Sequence, residues 1–227
     1  MSSESVPTAG SRTSKEVRAW SEDPLTARAR SVWTSGDFLP IARSFAPGAR
    51  GVHHPAGTSP GEVVLDVACG TGNLAIPAAL AGARVSGIDI APNLIAEAQL
   101  EARAAGVAIA FRGGRCRDRS RISRANLDTT VTMFGAMFAY RPERAAAELL
   151  RVTRPNGRVA MANWTYEGFV GQMLRVHTAI VPPPPGVPSP LEWGKERMVR
   201  ARFGDRVRSV ICSKRTLELS FPFPPRP

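Results

Sequence analysis

From residue 63 onward, short apolar or β-branched runs alternate with stretches of helical period. Val63–Val67 is a β-branched run that leads to Gly70 and Gly72. Leu74–Ala83 reads as a buried helix, with Pro77 tolerable because it falls near the first turn. Val85–Ile90 is a second strand. Asn93–Ala105 is amphipathic, with Leu94, Ile95, Ala98 and Leu100 set against Glu97, Glu101 and Arg103. Val107–Phe111 and Thr130–Phe134 follow as strands, Glu143–Val152 as a helix and Arg158–Ala162 as a fifth strand. This alternation predicts an α/β fold, a doubly wound and mostly parallel sheet with helices on both faces.

The flanks are patterned differently. Residues 1–14 are Ser/Thr-rich and read as a disordered tail. Residues 15–61 form an N-terminal helical extension and linker. Val17, Trp20, Val32, Trp33, Phe38, Leu39 and Ile41 suggest one or two short helices in 15–45, and the Pro/Gly/His-rich 47–61 reads as linker. The main domain is 62–227. After Trp164 the alternation stops: Phe169–Ile180 is helical in pattern, and VPPPPGVPSP (181–190) excludes helix and central strand. Arg200–Phe203 ends another helix. Val207–Cys212 and Thr216–Phe221 look like late strands, and the last residues, PFPPRP, are polyproline-like.

Composition narrows the class. The chain has 227 residues, enough for one such domain with a sizeable core. It shows no apolar leader segment and no stretch long enough to span a bilayer. Cys69, Cys116 and Cys212 are isolated and odd in number, so neither a disulfide framework nor a metal site is expected, and a reducing cytoplasm fits. His53–His54 are adjacent and point apart on any regular element, a poor chelate. The formal charge is +11, and all but three of the 30 cations are arginine. Such a balance invites a nucleic-acid reading. However, six arginines stand against one acid, Asp118, between Arg112 and Arg124, with no interleaved aromatics for base stacking. Nucleic acid is therefore disfavoured as a partner.

The chemistry-bearing stretch is VLDVACGTGN, 64–73. A strand ends in a loop whose glycines allow close backbone approach to a ligand, and a helix follows. In a parallel sheet this loop lies at the carboxyl ends of the strands, where ligands bind. Asp89 closes the second strand 19 residues after Gly70, the place of an acid that accepts from ribose hydroxyls. Gly70–Ala75 also fits the dinucleotide pattern, so a nicotinamide-dependent oxidoreductase stays an alternative. Asp66 argues against it: a carboxylate inside the strand suits loop amides and an amino-acid group, not a pyrophosphate. Asp89 could instead cap the following helix, although Asn93 is better placed for that. Cys69 reads as a small loop residue rather than a nucleophile.

VLDVACGTG followed by VSGIDIA resembles the first two motifs of class I S-adenosylmethionine-dependent methyltransferases, whose fold is Rossmann-like. The likeness continues through TMFGAMFA (132–139), AAELLRVTRPNGRVAMANW (146–164) and FVGQMLRVHTAIVPPPPGVPSPLEWG (169–194). It is similar to the ubiquinone/menaquinone-biosynthesis-like small-molecule branch and covers Trp33 to Phe221. The resemblance implies S-adenosylmethionine as cofactor, with Asp66, Ala68, Gly70, Thr71 and Gly72 shaping the methionine and ribose side. It implies that Asp89 takes the ribose hydroxyls, Ile90 lies against adenine, and Met133–Phe134 flank the cofactor. Helices in 15–45 would close over the cofactor. Residues 164–194 would form an acceptor lid with Phe169, Met173, the proline loop and Trp193 as apolar lining, implying a small, moderately hydrophobic acceptor. Methyl transfer would be an in-line displacement. No catalytic base is assigned, and His177 reads as structural.

Three stretches depart from that pattern. Arg115 stands where the family has an acid near the adenine, GVHHPAGTSPG stands where relatives have helix, and PFPPRP stands where relatives continue with a helix and a final antiparallel strand. These departures suggest reading-frame disturbances or a degenerate copy. They keep an inactive, truncated cofactor-binding remnant, or a nucleic-acid binder using 112–124, as alternatives. Oligomeric state is not legible.

Overall fold

The computed structural model of the chain describes residues 24–36, 38–114 and 126–219. Its centre is a five-stranded, all-parallel sheet in the order β3-β2-β1-β4-β5. The strands are β1 (Val63–Val67), β2 (Arg84–Asp89), β3 (Ala110–Gly113), β4 (Leu127–Met133) and β5 (Thr153–Ala162). The helices are α1 (Pro24–Thr34), α2 (Leu39–Ala56), α3 (Ala75–Leu80), α4 (Pro92–Ala104), α5 (Pro142–Val152), α6 (Phe169–Ile180) and α7 (Glu196–Phe203).

β1 and β4 lie inside the sheet and are covered on both faces; β1 is largely an apolar run, whereas β4 buries Thr129, Thr130 and Thr132, with the Thr130 and Thr153 hydroxyls bonded to each other at 2.7 Å. Val64, Leu65 and Val131 are buried. α4 turns Leu94, Ile95, Ala98 and Ala102 to the core, while Leu100, grouped with them in the sequence pattern, faces solvent. α5 buries Pro142, Ala146, Leu149 and Val152, spaced at helical period. From β1 the chain winds one way to β2 and β3, then crosses to β4 and β5 on the other side. The winding reverses between β1 and β4, and their carboxyl ends open a crevice there.

The expected strands and helices are present with shifted ends. β3 starts at Ala110 rather than Val107, although Val107 and Ile109 still pack on the core. β5 begins five residues early, at Thr153, with a register irregularity opposite Leu127–Thr129 and Asn156 left-handed at φ 61°.

Two expectations are overturned. The stretch 47–61 is not a linker up to its turn: α2 continues through Ala56, so the GVHHPA segment is helical, as in the resembled family. Proline and glycine weaken an isolated helix, but tertiary packing wins here. Ala49 is buried in the core, and Gly48 admits the Leu217 side chain, which would lie 2.8 Å from a Cβ at that position. The late strands are also absent among the described residues: 207–219 carry no ladder pairing. Alternation alone does not make a strand without a neighbour to bond, and this stretch is spent on other contacts, such as Arg200 Nη2 donating to the Val210 carbonyl at 3.0 Å. The expectations for 1–14, for Val17 and Trp20, for Arg115–Arg124 and for PFPPRP lie outside the described residues.

Candidate functional site

The site is assembled at the carboxyl ends of β1, β2 and β4. β1 ends in a tight loop that needs left-handed backbone at three positions, Ala68 (φ 55°), Gly70 (φ 52°) and Gly72 (φ 88°). A side chain on Gly72 would also crowd its neighbours: a Cβ there would sit 3.1 Å from Ile76 and 3.3 Å from the Phe111 ring. The loop is held by its own backbone, with Cys69 N–H donating to the Ile88 carbonyl (3.0 Å) and Gly72 N–H to the Cys69 carbonyl (2.9 Å).

Two buried carboxylates brace this loop. Asp66 Oδ2 accepts from Ala75 N–H at 3.1 Å, so the strand acid caps α3, which has no side-chain cap of its own. Asp89 Oδ2 accepts from Gly70 N–H and Oδ1 from Ala91 N–H, both at 2.9 Å. Burial pushes the Asp66 carboxyl well above the usual carboxylate range, opposed by the Ala75 amide and aided by the nearby Asp89 charge. Burial raises Asp89 too, against three backbone amides that favour its charged form. Asp89 therefore binds the second loop's first turn and the glycine loop together. The helix cap proper falls on Ala91, and Asn93, expected as the cap, lies inside α4. Burial and the two carboxylates raise the Cys69 thiol, which keeps it protonated and unreactive.

The third wall comes from β4. Phe134 follows the strand in left-handed conformation, φ 58°. Gly135 then passes so close to the glycine loop that a Cβ on it would lie 2.3 Å from Ala68 Cβ. Thr132 Oγ1 accepts from Ala136 N–H at 3.2 Å and fixes the turn. Phe134 stacks on Trp164, and Phe45 of α2 meets both rings at 5.4 Å between centroids. α2 is tied to the loop as well, since Asn73 Nδ2 donates to the Ala42 carbonyl at 2.7 Å.

Of the eight residues singled out in the sequence, Asp66, Ala68, Gly70, Gly72, Asp89 and Phe134 are joined by these contacts around the strand ends, while Thr71 lies in the same loop and Ile90 directly follows Asp89. Asn73, Phe45 and Gly135 were not singled out. A glycine straight after a strand (TMFG) was a readable sign of close approach, whereas the Asn73 and Phe45 contacts span chain separations that no local pattern reveals. The expected acceptor lining divides. Trp193 is buried in a cluster with Leu191, Leu149 and Phe203. Phe169 and Met173 are exposed on the outer part of α6, because Gly171 takes the inward position against the 165–166 loop. His177 is exposed.

Known proteins match this arrangement. A family model described as "Methyltransferase domain" matches residues 64–157. An uncharacterized protein of Mycobacterium tuberculosis is 38% identical over 190 residues, covering 83% of this chain and 69% of its own. A demethylmenaquinone methyltransferase of Renibacterium salmoninarum is 32% identical over 124 residues, 54% of this chain and 49% of that one. The crystal structure of magnesium protoporphyrin IX methyltransferase from Synechocystis PCC 6803 with bound SAH superposes with a TM-score of 0.55 at 22% identity, covering 79% of this chain and 83% of that one.

Proposed function

The chain belongs to the class I S-adenosylmethionine-dependent methyltransferases, and from that premise we propose that it methylates a small, moderately hydrophobic acceptor by in-line displacement. The observation that carries the reading is the pair of buried carboxylates, Asp66 and Asp89, on either side of one glycine loop. An acid at Asp89 suits a ribose in either cofactor, whereas Asp66, behind the glycine loop, disfavours a pyrophosphate and favours a ligand that brings positive charge. This sets the site apart from a dinucleotide pocket.

S-adenosylmethionine, when bound, supplies a methyl group already activated by the sulfonium charge. The protein's task is then to orient and to exclude water, which in favourable cases is worth on the order of 7 kcal/mol or more. Asp89 would hold the ribose hydroxyls with the same oxygens that now accept from Gly70 and Ala91. Asp66 would position the loop amides of 68–72 around the amino-acid end, with Thr71 beside them. Ile90 would pack on the adenine. Phe134 and Trp164, with Phe45 above them, would form an apolar wall toward the acceptor, and α2, held by Asn73, would shut out solvent. The aromatic wall supports a ring-bearing, apolar acceptor. The likeness to the demethylmenaquinone methyltransferase supports the ubiquinone/menaquinone-biosynthesis-like branch.

Titration calorimetry with S-adenosylmethionine and, separately, NADH tests the cofactor half of this reading. Heat with the first and none with the second is expected, and the reverse overturns it. Transfer of labelled methyl to hydroxylated aromatic acceptors tests the rest. Cofactor binding with no transfer to any acceptor would leave a cofactor-binding remnant instead.

A further inference from the structure

A second hollow lies at the amino ends of the strands, the opposite pole of the sheet from the crevice. Its volume is about 740 Å³, and it is lined by the start of β2, the approach to β3 and the last turns of α4. It arises from a splay between two strands. β3 pairs with β2 only from Ala110, opposite Ser86. Before that point the backbone of 107–109 makes other bonds. Val107 N–H donates to the Ala102 carbonyl at 3.0 Å, and the Ile109 carbonyl accepts from Phe111 N–H at 3.1 Å. The hollow occupies the gap left beside the first residues of β2. Arg84 stands five residues before Asp89 on β2, so about 16 Å of strand separates the hollow from the cofactor crevice.

The lining has two characters. Val63, Val107 and Ile109 are half-buried and supply an apolar floor. Arg84 and Arg103 stand at the rim, with Ser86 and Gln99 alongside as neutral polar groups. No acid lines the hollow. Both arginines are exposed, and neither guanidinium has an ion pair or hydrogen bond among the described residues. The acids nearby are engaged elsewhere. Asp128, whose carboxyl feels the Arg84 charge, accepts from Val63 N–H at 2.7 Å and from Arg154 Nε at 2.5 Å. Glu101, two residues before Arg103 on α4, pairs with Arg43 at 3.8 Å. Small-ligand sites have this size and this make-up, an apolar surface with a few placed polar groups. Free guanidiniums select carboxylate or phosphate oxygens.

We propose that this hollow binds a small amphipathic carboxylate, its apolar body on Val63, Val107 and Ile109 and its charge on Arg84 and Arg103. The complementarity is local: the two cations of the lining are free, and the lining holds no acid to neutralise them. A cationic amphiphile meets like charge there. A neutral one uses the floor and leaves both guanidiniums unmatched. A wholly polar anion such as inorganic phosphate uses the rim and leaves the floor wet. Only a ligand with both parts matches both surfaces. The site stands apart from methyl transfer, being at the other pole of the sheet, so either reading can fail alone.

The test is titration of the isotope-labelled whole chain with octanoate, octanol and octylammonium, followed by amide resonances. Octanoate is expected to shift the resonances of 83–86 and 99–111, and to do so equally with S-adenosylmethionine present in excess. It should bind about fivefold or more tightly than octanol, and that margin should shrink as salt rises. Octylammonium should bind more weakly than either. The double variant Arg84→Gln/Arg103→Gln changes two exposed side chains. It should lose about fivefold or more toward octanoate, with octanol binding and S-adenosylmethionine affinity unchanged. Should the double variant fail to fold, the two single variants and the three-ligand comparison on the wild type carry the same test. Octanoate that shifts no resonance at millimolar concentration overturns the proposal. So do shifts confined to the crevice or to α6, equal affinity for octanoate and octanol, and undiminished octanoate binding by a folded double variant.

Discussion

Phe134 lies flat on Trp164, with ring centroids 3.9 Å apart and planes 7° from parallel. The two residues directly follow or nearly follow paired positions on neighbouring strands, since Met133 is in register with Ala162. The stack therefore sits at the mouth of the crevice. The left-handed backbone at Phe134 orients its ring there, and Phe45 of α2 closes the third side. Trp164→Ala should cost about 1–2 kcal/mol of stability, an aromatic pair plus partial burial, readable in denaturant melts. It should raise the acceptor's KM far more than it weakens cofactor binding.

Asp89→Ala removes the acceptor for two amides and for the ribose hydroxyls assigned to it. Hydrogen bonds to a charged group are worth about 1.5–3 kcal/mol, so calorimetry should show S-adenosylmethionine affinity reduced by about tenfold to a hundredfold. Unchanged affinity would leave Asp89 as a brace between the glycine loop and the Ala91 turn.

Gly135→Ala should destabilise the protein by about 2–3 kcal/mol through overpacking, because its Cβ meets that of Ala68 at 2.3 Å. Adding Ala68→Gly should recover most of the loss. That second change also relieves a left-handed alanine. A double variant no more stable than Gly135→Ala alone would mean the clash lies with the Ala68 backbone, 3.1 Å away at its carbonyl oxygen.

The buried acids set opposite pH trends from the surface ones. Asp66 and Asp89 have raised values in the folded chain, so they bind protons more readily folded than unfolded. Their contribution makes the ligand-free protein less stable as pH rises from the ordinary carboxylate range through those raised values. Asp128, lowered by the Val63 amide and Arg154, contributes stability above its unfolded range that is lost as pH falls through its folded value. Asp66→Asn keeps an oxygen for Ala75 N–H and removes the charge. It should flatten the decline toward neutral pH and raise the melting midpoint there by about 2–4 °C, the shift that ~1 kcal/mol produces in a chain of this size. Cofactor affinity should fall on acidification at a higher pH than an exposed aspartate would give, because ribose hydroxyls donate to the ionised form.

Asn73→Ala frees α2 from the glycine loop by removing one hydrogen bond of 2.7 Å. Limited proteolysis should then cut within 35–62 several-fold faster, with global stability lowered by only about 1 kcal/mol.

Periodicity and one motif were enough to read the parallel sheet, the five strands it contains and the loop after β1 where the crevice opens. A buried parallel strand such as β1 is a nearly continuous apolar run, and a strand that turns sharply into a helix favours glycine. Those are local requirements, written in adjacent residues such as Val63–Gly72. Tertiary structure alone decided three other matters. α2 persists through Pro47 and Gly48 because the core and Leu217 pack against it, which no propensity sum contains. Residues 207–219 alternate like a strand but form none, because a strand exists only with a partner to bond. α6 has one periodic pattern but two apolar sides, and only its seating on the 165–166 loop determined that Met173, Val176 and Ile180 face outward. Burial is a property of what lies opposite a residue, and a single chain's sequence does not state what lies opposite.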